Sequence, residues 1–165
     1  MTHRVFLGIG SNLDDRKENL QKAIAGLQRN LQINQISKIY ETQPWGFADQ
    51  PAFLNQVLSA ETEFAPFELL TEIKAIEKEV GRTPTFRYGP RLIDIDILFF
   101  DDLILNEENL TIPHPMLAER AFVLVPLDEI APQFIHPLLQ QTIHELVRKV
   151  DQNGIMLFDE TTPKE

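Results

Sequence analysis

The chain has 165 residues, 43% hydrophobic and 24% charged, a composition typical of one water-soluble globular domain. The formal net charge of −10 argues against broad binding to nucleic acid or to anionic membranes, so neither is expected as a partner. The sequence contains no cysteine, no apolar segment long enough to span a membrane and no signal-peptide pattern, and we therefore expect a cytoplasmic protein.

The first two-thirds of the chain predict the element order β-α-β-β-α-β. The strands are short apolar runs, and the helices carry apolar residues at helical spacing. Capping residues mark the helix ends: Asp15 opens the first helix, Pro66 opens the second, and Gly81 follows its last turn. The predicted strands are residues 5–9, 31–40, 53–64 and 91–100.

This element order predicts an α+β fold, a ferredoxin-like α/β sandwich whose helices pack on a mainly antiparallel sheet. A short hairpin near residues 106–109 and helices within 116–130 and 142–150 would extend that core. We expect residues 1–155 to form a single domain and residues 156–165 to form a flexible tail.

Two glycines at the end of the first strand could suggest a dinucleotide-binding loop. Gly8 and Gly10 have the spacing of the first two glycines of such a loop, but Leu13 occupies the position of the third. No alternating series of β-α-β units follows. We therefore reject a dinucleotide-binding interpretation.

Two aspartates alternate with isoleucine in the predicted strand 91–100. Because side chains alternate between the faces of a strand, Asp94 and Asp96 point to the same face, about 6–7 Å apart. Carboxylates at this spacing suit Mg²⁺, which binds through one or two carboxylates together with substrate phosphates. The residues expected on the opposite face are Ile93, Ile95, Ile97 and Phe99.

An arginine-rich stretch precedes the aspartates. Arg82, Arg87 and Arg91 lie between Glu79 and Asp94 with no acid among them. Guanidinium groups beside metal-binding carboxylates are what a phosphoryl- or pyrophosphoryl-transfer site needs. The alternative is an exposed strand face whose acids pair with nearby arginines and bind no ligand.

Other candidate residues lie in a loop and around a histidine. Trp45, Phe53 and Asn55 would suit a planar heterocycle, because flat aromatic walls would flank an amide that both donates and accepts; core packing is the alternative. His114, held between two prolines, could aim its imidazole at a phosphate, or it could be an incidental surface residue. Arg120 could add a further phosphate contact, although arginines on helix surfaces are usually solvated.

Five strings of the sequence occur together in one known family. They are Gly-Ile-Gly-Ser-Asn-Leu (8–13), Tyr-Glu-Thr-Gln-Pro-Trp-Gly (40–46), Gln-Pro-Ala-Phe-Leu-Asn (50–55), the arginine and aspartate motif within 81–98, and Ile-Pro-His-Pro (112–115). Together they resemble the 6-hydroxymethyl-7,8-dihydropterin pyrophosphokinases of folate biosynthesis, from about residue 4 to 150.

The resemblance implies a monomeric enzyme that moves a pyrophosphoryl group from ATP to the hydroxymethyl group of the pterin and releases AMP. It implies two Mg²⁺ ions bound by Asp94 and Asp96, with Arg82 and Arg87 also catalytic. The residues it places near ATP are Glu77, Arg82, Arg87, Arg91, Ile97, Thr111, His114 and Arg120. Those it places near the pterin are Thr42, Pro44, Trp45, Phe53, Asn55 and Phe122, with the ring between the two phenylalanines.

The sequence departs from the family pattern at two positions. Pro84 stands where some relatives carry a basic residue, and Phe53 stands where others have tyrosine. We expect residues 82–90 to close over ATP as a lid.

Two rival functions stand against this interpretation. They are a non-catalytic ferredoxin-like ligand-binding module and another Mg²⁺-dependent nucleotide enzyme, such as a nucleotidyl- or glycosyltransferase.

Overall fold

The structure, a computed structural model, describes residues 1–42, 51–81 and 92–158. No helix in these ranges is long and apolar enough to cross a membrane. In chain order the elements are β1 (His3–Ser11), α1 (Arg16–Gln28), β2 (Gln32–Ile36), β3 (Tyr40–Thr42), β4 (Phe53–Thr62), α2 (Pro66–Val80), β5 (Asp94–Phe100), β6 (Leu105–Asn106), β7 (Thr111–Ile112), a 3-10 turn (Leu117–Glu119), α3 (Ala121–Ile130), α4 (Ile143–Val147) and β8 (Ile155–Leu157).

The main sheet has the strand order β5-β1-β4-β3-β8, and β2 pairs with β4 beyond the end of β3. Every pairing in the described part of this sheet is antiparallel. Since β2 and β3 together occupy the place of one strand, the order along the sheet corresponds to fourth, first, third and second in a β-α-β-β-α-β chain. The predicted ferredoxin-like α+β fold is confirmed.

The predicted strand 31–40 is interrupted in the structure. Residues 37–39 separate β2 from β3, and the pairing of β2 with β4 shifts register between Ile33 and Gln35. At the interruption, the hydroxyl of Ser37 accepts a hydrogen bond from the backbone N–H of Val57 at 3.0 Å. Because a side chain there replaces a backbone carbonyl as the acceptor, regular pairing stops.

The sheet carries a separate apolar core on each face. Helices α1 and α2 cover the α1/α2 face, where Leu7, Leu58 and Ile73 belong to one buried cluster. Helices α3 and α4 cover the α3 face, where Phe6 and Leu124 belong to a second cluster. Adjacent residues of β1 therefore serve opposite cores, as the alternation of side chains along a strand requires.

A β-bulge in β5 corrects one prediction. Leu7 pairs with Ile97 and Phe6 pairs with Phe99, so Leu98 is an extra residue in β5. Beyond the bulge the alternation of side chains is reversed, and Phe99 packs in the cluster of the α3 face. The prediction that Phe99 shares a face with the three isoleucines of this segment is therefore wrong.

The C-terminal part of the described chain returns to the sheet. Strand β8 pairs antiparallel with β3, so that Met156 lies opposite Glu41 and Leu157 opposite Tyr40. Met156 and Leu157 thus lie in a strand at the edge of β3. Residues 159–165 lie outside the described ranges, and the division of the chain into one domain and a tail stays a prediction.

Candidate active site

Asp94 and Asp96 lie on β5, at the edge of the sheet. Asp94 pairs with Gly10 and Asp96 with Gly8 on the neighbouring strand β1. Ile95, between them, is buried in the cluster of the α1/α2 face. Since side chains alternate, both carboxylates project from the opposite face, as predicted, and both residues are partly exposed.

A cleft of about 340 Å³ opens along the outer edge of β5. Its walls come from α2, β5, β7 and the segment that follows β7. The structure thus brings together predicted site residues that are far apart in the sequence. Those lining the cleft are Glu77, Asp94, Asp96, Ile97, Thr111 and His114.

Glu77 ties the aspartate strand to α2. Its side chain is buried and accepts a hydrogen bond from the backbone N–H of Ile95 at 2.8 Å. Because β5 is an edge strand, this N–H points away from β1 and would otherwise lack a partner within the sheet. Most glutamates on a helix face solvent, so sequence reasoning did not predict this burial. Glu77 therefore supports the backbone between the two carboxylates; its contact with a nucleotide stays a prediction.

Two hydrogen bonds fix His114 in the lining of the cleft. Its backbone N–H donates to the carbonyl of Leu98 at 3.0 Å, and its Nδ1 accepts from the backbone N–H of Met116 at 3.2 Å. This pattern assigns the proton of the neutral ring to Nε2, which lies 4.0 Å from Asp96 Oδ2. Burial first, and the charge of Arg120 second, lower the pKa of His114 to about 4. At neutral pH the ring is therefore an uncharged N–H donor facing the cleft.

A second group of predicted residues lies on β3 and β4. Asn55 pairs with Gly10 of β1 on one side and with Tyr40 of β3 on the other. The side-chain Nδ2 of Asn55 donates to Thr42 Oγ1 at 2.9 Å, and both residues are buried. Because neighbouring strands lie about 4.8 Å apart, the strand of Asp94 and that of Asn55 are roughly 10 Å apart, with β1 between them. The amide group is held in place by Thr42, with one strand, β1, between it and the carboxylates.

Arg120 and Phe122 lie next to each other at the start of α3. The guanidinium carbon of Arg120 lies 5.5 Å from the centroid of the Phe122 ring, a cation–π distance. Arg120 Nη2 also lies 3.4 Å from the sulfur of Met116. Phe122 is partly buried against the core of the α3 face. A heterocycle held between Phe53 and Phe122 stays a prediction.

Several predicted residues lie outside the described ranges. Pro44 and Trp45 fall in 43–50, and Arg82, Arg87 and Arg91 fall in 82–91, which also includes the expected lid. Their assigned roles in binding ATP, pterin or phosphate stay predictions.

Sequence reasoning missed two residues that fix the start of β4. Asn12 Nδ2 donates to the carbonyl of Pro51 at 3.1 Å. Arg16 Nη1 donates to the carbonyl of Ala52 at 2.9 Å and to Glu41 at 2.7 Å. Asn12 belongs to the string Gly-Ile-Gly-Ser-Asn-Leu, and its presence in that string was the available signal.

The donor set at β5 fits the chemistry of Mg²⁺. Among the residues that the structure describes, no three or more His, Asp or Glu side chains are grouped to hold a metal ion. Two carboxylates on one strand face, open to a cleft, leave coordination positions for water and phosphate oxygens. This incomplete protein ligand set is the usual one for Mg²⁺ in nucleotide enzymes, so Asp94 and Asp96 could hold the ion.

Comparison with known proteins decides the family. The profile of the 7,8-dihydro-6-hydroxymethylpterin-pyrophosphokinase family matches residues 6–132. The chain belongs to this family. It is 48% identical over 141 residues to the 2-amino-4-hydroxy-6-hydroxymethyldihydropteridine pyrophosphokinase of Aquifex aeolicus, covering 86% of this chain and 88% of that protein. The enzyme of the same name from Bacillus subtilis is 43% identical over 135 residues, 81% of each chain.

Longer proteins also contain this unit. The folic acid synthesis protein fol1 of Schizosaccharomyces pombe is 41% identical over 93% of this chain, which spans 21% of that protein. The HPPK-DHPS protein of Plasmodium falciparum superposes with a TM-score of 0.75 at 20% identity, over 90% of this chain and 43% of that one. The latter likeness supports the fold alone.

The predicted family and its general activity are thereby confirmed. The chain is a transferase, a pyrophosphokinase acting on hydroxymethyldihydropterin in folate synthesis, with ATP as its co-substrate. This assignment is at odds with both rival interpretations, the non-catalytic module and the sugar- or nucleotide-transferring enzyme.

Proposed function

We propose that the cleft along β5 and the adjoining surface of β1 and β4 form one active site, which binds ATP with two Mg²⁺ ions beside 6-hydroxymethyl-7,8-dihydropterin. The hydroxymethyl oxygen attacks the β-phosphorus of ATP and gives up its proton to solvent, the bond from the β-phosphorus to the oxygen bridging it to the α-phosphorus breaks, and AMP leaves with that oxygen. The observation that carries the proposal is the gathering of Glu77, Asp94, Asp96, Thr111 and His114 around one cleft.

Asp94 and Asp96 supply the negative charge that this site needs to hold a cation against a triphosphate. Their common face and their position at a sheet edge leave room for phosphate oxygens beside them. Bound Mg²⁺ would neutralise charge on the phosphates and favour the deprotonated form of the attacking hydroxyl. Glu77 keeps the backbone between the two carboxylates in place through the N–H of Ile95.

His114 acts in this proposal as a neutral hydrogen-bond donor to a phosphate oxygen. Its Nδ1 is already engaged by the N–H of Met116, and its pKa of about 4 keeps the ring uncharged near neutral pH. A proton on Nε2 is then available to an acceptor in the cleft. The positive charge that pairs with the phosphates would come from Arg82, Arg87, Arg91 and Arg120.

Asn55 orients the pterin. Its Nδ2 is held by Thr42, so the direction of its carboxamide is fixed before any ligand arrives. A preorganised amide can exchange hydrogen bonds with the ring edge at little entropic cost, while Phe53 and Phe122 cover the faces of the ring. Pro44 and Trp45 would complete this subsite.

We further propose that the enzyme works as a monomer, because a single chain supplies every residue assigned to the site, and that it is cytoplasmic, which the absence of cysteine favours. Sedimentation velocity at micromolar concentration checks this, and a dimer would contradict it.

Product analysis tests the reaction. The protein is mixed with ATP, Mg²⁺ and 6-hydroxymethyl-7,8-dihydropterin, and the nucleotides are separated by chromatography. Pterin-dependent AMP together with a pyrophosphorylated pterin is the expected result. ADP in place of AMP would indicate transfer of a single phosphoryl group and overturn the proposed attack on the β-phosphorus. A parallel reaction with excess EDTA should form neither product, since the site holds its phosphates through a metal ion.

A further inference from the structure

Gly10 lies between the two groups of site residues. On β1 it pairs with Asp94 of β5 on one side and with Asn55 of β4 on the other. It has no assigned role in the site proposed above. Because Gly10 has no side chain, the surface between the carboxylate and the amide is bare backbone.

The backbone conformation does not explain a glycine at this position. Among the described glycines, positive φ angles occur at Gly81 and Gly154, but not at Gly10. An alanine could therefore adopt the strand conformation of β1 here without strain. The reason for a glycine must lie in what surrounds it.

What surrounds Gly10 is the side chain of Asn55. A Cβ atom added to Gly10 would lie 2.8 Å from Asn55 Oδ1 and 3.7 Å from Phe53 Cδ1. Carbon–oxygen contacts of 2.8 Å are well inside van der Waals separation, so the amide would have to move. The carboxamide of Asn55 thus lies directly against the backbone of Gly10.

Gly8, two residues earlier on the same strand face, shows the contrast. A Cβ atom at Gly8 would meet the side chain of Leu98 at 3.5 Å, an ordinary contact. The need for a bare backbone is therefore local to Gly10 and is not a general property of this part of β1.

We infer that Gly10 is a positioning residue for the pterin. It allows the Asn55 carboxamide to lie flat against β1, with Nδ2 held by Thr42 and Oδ1 turned toward Gly10, ready to meet a planar heterocycle. Any side chain at position 10 would push the amide off this surface and break its bond to Thr42. This inference rests on the proposed function, in which Asn55 contacts the pterin.

The inference predicts a loss specific to one substrate. Gly10→Ala should raise the KM and Kd for the pterin about tenfold or more, the usual effect of losing a buried, oriented hydrogen bond. The KM for ATP should stay within about twofold of wild type. The fall in kcat at saturating pterin should be smaller than the rise in the pterin KM. Gly8→Ala is the matched control, one methyl group on the same strand face, and should leave both KM values unchanged.

A double-mutant cycle separates this role from general damage to the fold. Asn55→Ala should weaken pterin binding as Gly10→Ala does, and the Gly10→Ala/Asn55→Ala double variant should bind no more weakly than Asn55→Ala alone, because the clash has been removed. The side-chain amide NMR signal of Asn55 should shift in Gly10→Ala and stay in place in Gly8→Ala.

Four outcomes would overturn the inference. They are an unchanged pterin KM in Gly10→Ala, an unmoved Asn55 signal, additive losses in the double variant, and equal effects of the alanine substitutions at positions 8 and 10. If Gly10→Ala does not fold, recovery of folding in the double variant supports the clash with Asn55, and failure of both variants contradicts it. A wild-type protein that binds no pterin would instead contradict the proposed function, which separates the two failures.

Discussion

The two faces of the sheet are built from the same strands but differ in chemistry. Toward α1 and α2, strands β1, β4 and β5 present a continuous apolar surface, including Ile9, Leu58 and Ile95. On the α3 face, the same strands carry Asp94, Gly10 and Asn55 at one end, and Gly10 pairs with both of the others. Alternation along a strand thus lets one backbone provide a stable core on one face and polar site residues on the other.

The largest expected effect is on the polar face, where Asp96→Ala removes a carboxylate of the site. Loss of a carboxylate that holds the cation should lower kcat by at least about 10³-fold, by analogy with other charge-stabilising groups. Stability should change little, since Asp96 is partly exposed. Steady-state kinetics with the exposed Asp102→Ala as control measures the effect. Near-normal turnover in Asp96→Ala would refute the metal assignment.

On the apolar face, Leu58→Ala should lower the stability of the protein. Leu58 is fully buried in the cluster of the α1/α2 face, so truncation should lower the free energy of unfolding by about 2–5 kcal/mol through lost burial and a cavity. Molecules that remain folded should keep their kcat, because Leu58 does not line the cleft. Urea denaturation and kinetics on the same preparation test both parts. A large loss of kcat with unchanged stability would show that the faces are not independent.

Glu77 tests how the two faces are connected, because it links α2 to the edge strand of the site. Glu77→Ala leaves the buried N–H of Ile95 without this acceptor, which should cost about 1–3 kcal/mol of stability and also lower activity. Glu77→Gln keeps an oxygen acceptor and should recover most of both. If the glutamine variant is as inactive as the alanine variant while remaining stable, the charge of Glu77 acts directly on a ligand.

His136 gives the smallest expected effect, a dependence of stability on pH within the α3-face core. Its Nδ1 accepts hydrogen bonds from the N–H groups of Leu138 and Leu139, both at 3.1 Å, and burial lowers its pKa below 6.5. The unfolded chain therefore binds a proton more readily than the folded protein. This contribution to stability is complete above pH 6.5 and is lost as pH falls toward the lower folded pKa.

Denaturation of the wild type and of His136→Gln between pH 5 and 7.5 measures this contribution. The wild type should lose more stability on acidification than the variant. Parallel curves for the two proteins would show that protonation of His136 is not coupled to folding.

The sequence was sufficient to predict the fold and the separate segments that form the cleft. Period-two alternation identified Asp94 and Asp96 as neighbours on one face, and the flanking prolines drew attention to His114. The family resemblance added Thr111, and the structure places all four in the same cleft. These features depend on local pattern or on resemblance. They do not require knowledge of how strands pair.

What escaped prediction depends on pairing between distant strands. The bulge at Leu98 reverses the face of Phe99, and nothing within residues 94–100 indicates it, because a bulge is a mismatch with the partner strand. The burial of Glu77 depends on the edge position of β5. The close contact of Gly10 with Asn55 likewise requires the register between β1 and β4.

The contacts along the outer edge of β5 also bear on self-association. An exposed strand edge is a template on which another chain can add a strand and start aggregation. Here the Ile95 N–H is taken by Glu77, and the Leu98 carbonyl is taken by the backbone of His114. The contacts that assemble the cleft therefore also block the outer edge of the sheet. Loss of Glu77 would make the protein more prone to form strand-paired aggregates as well as less active.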